Sequence, residues 1–389
     1  MRVLHLNTHD VGGSWVYART LSDALRDAGH ESMVLHRDIT ARPFSDKLLR
    51  RSTLALARGA WHGTHRTLPP PPHENIESTD VVHLHTVADW FDVPAWVRRL
   101  PRRVRLVVNL HDLWHASGGC FVYGNCERFR VDCRHCPLLR FPASRLLASH
   151  EQRRKADAYQ EAGARFIVNS HWLRDLVKDS TILRGSGIAM IPPPVDPEIF
   201  HPQDRSACRA RFRLRDDDLV VATGCASLTD TNKDTRGLLE MLVKSGHPHI
   251  KVLMFGAGNI PIPDGLDVRN LGPIPDKSDL AAIYGAADLF ASASRMETYG
   301  LTLAEAYACG CAVVAHDTGG IAEALPHDPS VTLVPPGDRT AFVDAISHQL
   351  RQCLERSPSS GTSRSPARAS TPGQAVERLV EVYERDPMK

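Results

Sequence analysis

No run of apolar residues in this chain is long enough to cross a bilayer, so the sequence offers no membrane-spanning helix. The opening stretch, Met1-Arg2-Val3-Leu4-His5-Leu6-Asn7, is one short strand that soon meets polar residues, and it lacks the apolar core of a signal peptide. Net charge is scarce as well, at +2 over 389 residues, which excludes a strong overall electrostatic footprint for nucleic acid. That charge divides unevenly, with +6 in residues 1–205 and −4 in the remainder. Nine cysteines cannot pair evenly, and without an export signal they fit a reduced, cytoplasmic compartment rather than a disulfide framework. Lysine is sparse beside arginine, and alanine and proline are common, a composition that hints at a GC-rich, bacterial genome.

What is present is a soluble globular composition, 42% apolar and 24% charged, in a chain too long for one ordinary core. The first forty residues read as strand, Gly12-Gly13 turn, helix and strand, the opening βαβ of a doubly wound sheet. Val81–His85, Leu106–Leu110 and Phe166–Asn169 are continuous apolar runs of the kind expected where helices cover both faces of a parallel sheet. Pro192-Pro193-Pro194 to Pro202 cannot continue any element and reads as an interdomain connector. A second series follows, with strands at 219–223, 251–255, 268–271, 289–291, 312–315 and 331–334 and helices between them. The expected organisation is an N-terminal Rossmann-like domain over 1–195 and a C-terminal Rossmann-like domain over 196–356. A flexible Ser/Pro/Arg-rich linker follows over 357–373, then a C-terminal helix within 374–389 that packs back on the first domain.

The most informative segment is Ser294-Arg295-Met296-Glu297-Thr298-Tyr299-Gly300-Leu301-Thr302-Leu303-Ala304-Glu305-Ala306. Two carboxylates stand eight positions apart around a glycine, the first in a strand-to-helix loop and the second inside the helix. The first turn of that helix has N–H groups without intrahelical partners and a positive dipole end, which suits a diphosphate on Tyr299–Thr302. This segment resembles the Glu-x7-Glu signature of retaining GT-B glycosyltransferases of the family 4 (group 1) type. Gly310, Val313-Val314-Ala315 and Gly319-Gly320-Ile321-Ala322-Glu323 continue the resemblance. It implies an α/β, GT-B fold of two Rossmann-like doubly wound domains facing a central cleft, and a nucleotide-sugar donor.

Carried over residue by residue, the resemblance gives Glu305 to the donor ribose and Glu297 to a hydroxyl of the transferred sugar. Thr298, Tyr299, Gly300, Leu301 and Thr302 lie along the diphosphate, and the backbone of Gly12 and Gly13 reaches it from the first domain. His111, directly after a strand in His111-Asp112-Leu113-Trp114, approaches the donor sugar, at the strand end where open α/β sheets place ligands. Lys233 is the candidate phosphate-binding ammonium, although Asp234 stands where the family has glycine and the arginine common in this loop is absent. Ile274, in Leu271-Gly272-Pro273-Ile274-Pro275, is the candidate neighbour of the base. The mechanism implied is front-face transfer with the leaving diphosphate as proton acceptor and no catalytic metal. Asp216-Asp217-Asp218 matches a metal-binding Asp-x-Asp by letters only and reads as solvated surface.

Three further features stay open in the sequence. Cys120, Cys126, Cys133 and Cys136, in an insertion over 118–137 that lacks an apolar core of its own, suit one structural tetrahedral zinc, with two disulfides or four free thiols as alternatives. Leu48 to Arg58 with Trp61, and Arg98, Arg99, Arg102, Arg103 and Arg105, fit peripheral docking on anionic lipid at the inner face of a membrane, or arginines snorkelling on a soluble surface. A GT-B nucleotide-sugar 2-epimerase and a non-catalytic sugar-nucleotide sensor are the rival functions.

Overall fold

The computed structural model describes residues 1–37, 62, 70–71, 74–121, 126–141, 145–247, 249–355 and 369–385. The chain forms two compact units, Met1–Pro192 with Pro372–Lys389, and Pro193–Thr371. Residues 357–368 of the expected linker, and Leu48 to Trp61 of the expected lipid-docking segment, lie outside the described residues.

In the first unit the described elements are β1 (Arg2–Asn7), α1 (Gly13–Asp27), β2 (Glu31–His36), α2 (Glu74–Glu77), β3 (Val81–Leu84), α3 (Val93–Val97), β4 (Arg105–Leu110), α4 (Arg145–Glu161), β5 (Arg165–Val168), α5 (His171–Val177) and β6 (Ile188–Met190). The strands form one parallel sheet in the order β2-β1-β3-β4-β5-β6. Val3, Val81, Val107 and Ile167 line one face, and α1 covers them together with the C-terminal helix Pro372–Glu384, through Ala375, Val376, Leu379 and Tyr383. Arg165 Nη1 donates to the carbonyls of Val382 and Tyr383 at 2.5 and 2.9 Å, so the last orphan carbonyls of that helix are satisfied by a cation on β5. The opposite face carries the larger apolar cluster, with Leu4, Leu6, Leu106, Val108, Trp96 and Phe166.

The second unit contains α6 (Arg205–Arg211), β7 (Leu219–Ser227), α7 (Thr235–Lys244), β8 (Ile250–Ala257), β9 (Asp267–Asn270), α8 (Lys277–Ala286), β10 (Leu289–Ser292), α9 (Leu301–Ala308), β11 (Ala312–His316), α10 (Ile321–Ala324), β12 (Val331–Val334) and α11 (Arg339–Glu355). Its sheet is parallel in the order β12-β11-β10-β7-β8-β9. Two apolar clusters cover its two faces, which is why β7, β10 and β11 read as unbroken apolar runs. The strand order reverses direction between β7 and β10 here, and between β1 and β3 in the first unit. Crevices at the carboxyl ends of strands flanking such a reversal are where open α/β sheets bind ligands.

Asp218 corrects one expectation. Asp216 and Asp217 are exposed, but Asp218 is buried, its carboxylate accepting the Arg215 N–H at 2.8 Å with Lys251 beside it. It closes the turn into β7 rather than facing solvent. Of the basic patch, Arg98 pairs with Glu161 at 2.8 Å and Arg103 donates to the carbonyls of Glu77 and Thr79. Among the described residues no helix is long and apolar enough to cross a membrane.

Candidate active site

In the second unit three loops leave the carboxyl ends of β7, β10 and β11 and knit together. Asn232 Nδ2 donates to the Met296 carbonyl at 2.9 Å, and the Arg295 N–H donates to the Asn232 carbonyl at 2.8 Å. Thr318 Oγ1 donates to the Arg295 carbonyl at 2.9 Å, and the Gly320 N–H to the Glu297 carbonyl at 2.9 Å. The approach at Gly319 is so close that a Cβ there would stand 1.7 Å from the Glu297 carbonyl oxygen, at a φ of +62°. Only glycine fits this position.

The knitted loops bring Lys233 and Glu297 together. Lys233 Nζ and Glu297 Oε1 form an ion pair, with the two side chains 27% and 19% exposed, so both are half-sheltered yet reachable. Burial pulls the Lys233 pKa down, but the adjacent carboxylate outweighs it and leaves the ammonium held more firmly than usual. Asp234, where the sequence departs from the family pattern, sits in the left-handed region at φ +45° at the start of α7. That is the conformation for which glycine is the usual residue.

Helix α9 starts directly after the Glu297 loop, with Gly300 as its N-cap at φ +94°. Thr298, Gly300, Leu301 and Thr302 thus lie around its positive end. Tyr299 does not expose its side chain: it is 3% exposed and packs in the core. Glu305, one turn further along, is 4% exposed and accepts a long hydrogen bond from Tyr284 Oη at 3.4 Å. Burial pushes its pKa up to about 8, with Lys277 and the Tyr284 hydroxyl opposing. Ile274 lies in the loop between β9 and α8, partly buried against the same core. Gly256, Asn259, Asn270, Gly272 and Pro273 line an open depression of about 520 Å3 beside that loop.

The first unit carries its own group at the carboxyl ends of β1, β3 and β4. Gly12 caps α1 at φ +87°, ψ 174°, a conformation essentially confined to glycine. Gly13 opens the helix with free space where a Cβ would stand. His111 follows β4, with the Tyr17 ring of α1 against it edge-on at 5.1 Å, so the glycine turn and His111 belong to one neighbourhood. His111 Nε2 is hydrogen-bonded to His85 Nδ1 at 2.9 Å, and burial lowers its pKa to about 3, which keeps the ring neutral. Next to it, burial raises Asp112 to about 7, although its Oδ1 accepts the Trp114 N–H at 2.7 Å.

The zinc expectation is not supported. Cys120, Cys126, Cys133 and Cys136 are free thiols, and no three of their sulfurs gather within 4.8 Å; among the described residues only His5, His83 and His85 form such a group. The Gly118 N–H donates to Cys133 Sγ at 3.3 Å, and Cys120 Sγ donates to Ser117 Oγ at 3.3 Å. Burial pushes the Cys133 thiol up to about 12 and the Cys136 thiol to about 11. Among the described residues of the insertion and just after it, Phe129, Cys133, Cys136 and Leu139 join the main apolar cluster of the unit. What the sequence reading missed was that this loop shares the core of its domain.

Residues 11–199 match the Glycosyltransferase Family 4 profile, and residues 220–352 match the profile described as Glycosyl transferases group 1. The D-inositol 3-phosphate glycosyltransferases of Mycobacterium bovis and Mycobacterium tuberculosis are 34% identical over 206 residues, 49% of this chain. That match spans only 41% of those relatives' length. Among solved structures, sucrose-phosphate synthase from Thermosynechococcus elongatus superposes with a TM-score of 0.62 at 19% identity, covering 98% of this chain and 95% of that one. Anabaena HepE in complex with UDP and glucose gives 0.59 at 16% identity, covering 98% of each chain. At these identities the structures establish the shared fold.

Proposed function

The chain belongs to the GT-B glycosyltransferases of the family 4 type, and from that premise we propose that it is a retaining, metal-independent transferase. Its donor is a UDP- or GDP-linked hexose-type sugar, and its acceptor a glycan, a lipid-linked sugar or a small natural product. The observation that carries this reading is the Lys233–Glu297 ion pair at the strand-order reversal of the second sheet, beside the positive end of α9.

A diphosphate on the first turn of α9 offers Lys233 a partner of higher charge than Glu297. The released Glu297 carboxylate then accepts a hydroxyl of the donor sugar, and Glu305 accepts a ribose hydroxyl. During transfer the bond from the anomeric carbon to the diphosphate oxygen breaks, and a bond to the acceptor oxygen forms on the same face. The acceptor's proton passes to the departing diphosphate, so no protein nucleophile is required. Lys233 and the helix N–H groups stabilise the charge that builds on that diphosphate, which is electrostatic catalysis. For His111 the family motif supports a role at the donor sugar.

The test is a donor and acceptor screen with UDP- and GDP-hexoses, read by nucleotide release and by NMR of the product linkage. Release only with acceptor present, and an anomeric configuration equal to that of the donor, are the expected results. Glu297→Ala should lower turnover by about 100-fold or more. Acceptor-independent epimerisation of the donor, or full turnover by Glu297→Ala, would contradict the proposal.

A further inference from the structure

We infer that a file of buried histidines, His5–His85–His111, sets which ring nitrogen of His111 carries its proton. The functional consequence rests on the proposed role of His111 at the donor sugar; the tautomer itself is a property of the first unit alone.

Side chains alternate along a strand, so His83 and His85 share a face of β3 and its extension, and His5 on β1 is the register partner of His83. Asn109 and His111 continue that face on β4 and just beyond it. His5, His83, His85 and Asn109 have no exposed surface. Tyr17 of α1 stacks edge-on over His85 and His111, and Tyr383 of the C-terminal helix stacks on His83.

The hydrogen bonds form a line. His5 Nδ1 meets His85 Nε2 at 2.9 Å, and His85 Nδ1 meets His111 Nε2 at 2.9 Å. Burial holds all three rings neutral. A neutral imidazole has one N–H and one lone pair, so the line runs in one of two directions. In the first, His5 donates from Nδ1 to His85, and His85 donates from Nδ1 to His111. In the second, every proton moves to the other nitrogen, and His5 is left with an N–H on Nε2. That atom is buried with no partner among the described residues. A buried N–H without an acceptor is the costlier and rarer state, so the first direction is selected.

His111 therefore carries its proton on Nδ1, with Nε2 committed to His85. It meets a substrate oxygen as a donor and does not serve as a base, and His85 is its positioning residue. The alternative use of His5, His83 and His85 is a metal site, because their ligand atoms lie within 4.8 Å of one another. His5 Nδ1 and His85 Nε2, however, already share a hydrogen bond at 2.9 Å, and His83 Nδ1 is hydrogen-bonded to Tyr383 Oη at 2.8 Å, so these ring nitrogens are engaged with protein partners.

The test is long-range nitrogen–proton NMR of the imidazoles in the full chain, with the His111 signals assigned by His111→Gln. The expected result is a protonated Nδ1 and a bare Nε2 on His111 in the unmodified protein. His85→Leu should move the His111 proton to Nε2 or to a mixture. His85→Asn, whose amide stands in for the Nδ1–H, should keep the original pattern. A proton on Nε2 of His111 in the unmodified protein overturns the inference without any variant, as does an unchanged pattern in His85→Leu. Zinc ions that shift His5, His83 and His85 together also overturn it, in favour of a metal site. In turnover, His85→Leu should lower kcat by about tenfold at unchanged donor KM, with recovery in His85→Asn. The inferred tautomer combined with full turnover in His85→Leu would leave the file intact and remove His111 from the reaction.

Discussion

Glu305→Gln is a test of how the second unit stores a carboxyl for its ligand. In the folded chain the group is buried and holds its proton up to about 8, against an ordinary value of 4.5. Between those two values the folded state keeps a proton that the unfolded state releases, so stability is fully present below 4.5 and falls as pH rises towards 8. At pH 7 the difference amounts to about 3 kcal/mol, since each unit is worth about 1.4 kcal/mol. A glutamine of nearly the same shape cannot ionise in either state and removes this term. It should therefore stabilise the second unit by about 3 kcal/mol at pH 7 and by almost nothing at pH 4.5. For a domain of this size that is an upward shift of roughly 5–10 °C in melting temperature at pH 7. All six tryptophans precede residue 193, so the second unit's transition is the calorimetric one without a tryptophan fluorescence change. Above pH 8, where Glu305 is ionised, the same variant should bind donor more weakly, because it lacks the carboxylate acceptor for the ribose. Equal melting shifts at pH 4.5 and pH 7, or none at pH 7, would refute the buried, protonated Glu305.

Acid should unfold the first unit early. Burial lowers His5, His111 and His115 to about 3, so the unfolded chain binds protons that the folded one refuses, and stability is lost as pH falls below 6.5. Each group accounts for about 2 kcal/mol by pH 5, and tryptophan fluorescence reports the transition; an unchanged midpoint between pH 7 and pH 5 would contradict this. Gly319→Ala should cost about 2 kcal/mol or more and displace Glu297, because its Cβ would meet the Glu297 carbonyl. Turnover and melting temperature should fall together in that variant. Lys233→Met should weaken nucleoside diphosphate binding by at least about tenfold and lower kcat by about 100-fold; binding equal to that of the unmodified protein in calorimetry would exclude Lys233 from the phosphate site.

The second sheet was legible because its strands are buried on both faces and appear as unbroken apolar runs, such as Ala312–Ala315. Strand β6 was not: Ile188–Met190 is a three-residue edge strand, half-buried, between Gly187 and the proline connector. Helix α4 left no apolar stripe because it buries Glu151, Gln152 and Lys155. Lys155 Nζ donates to the Trp114 carbonyl and lies 4.1 Å from the centre of the indole ring, a pairing set by distant parts of the chain. In the site, Glu297, Glu305 and Gly300 were visible as a motif, whereas Asn232, Arg295 and Thr318 act through loop contacts that only the fold brings together. The His83-x-His85 spacing was readable as two histidines on one strand face. Their partnership with His5 needed the β1–β3 pairing, which joins residues about eighty positions apart in the chain.

The most direct test of the central claim is calorimetric titration of the whole protein with UDP, GDP and dTDP, repeated on Lys233→Met. The account predicts micromolar binding of one of these diphosphates, lost or strongly weakened in the variant. Binding of none, or binding indifferent to Lys233, would contradict a donor site built on the Lys233–Glu297 pair.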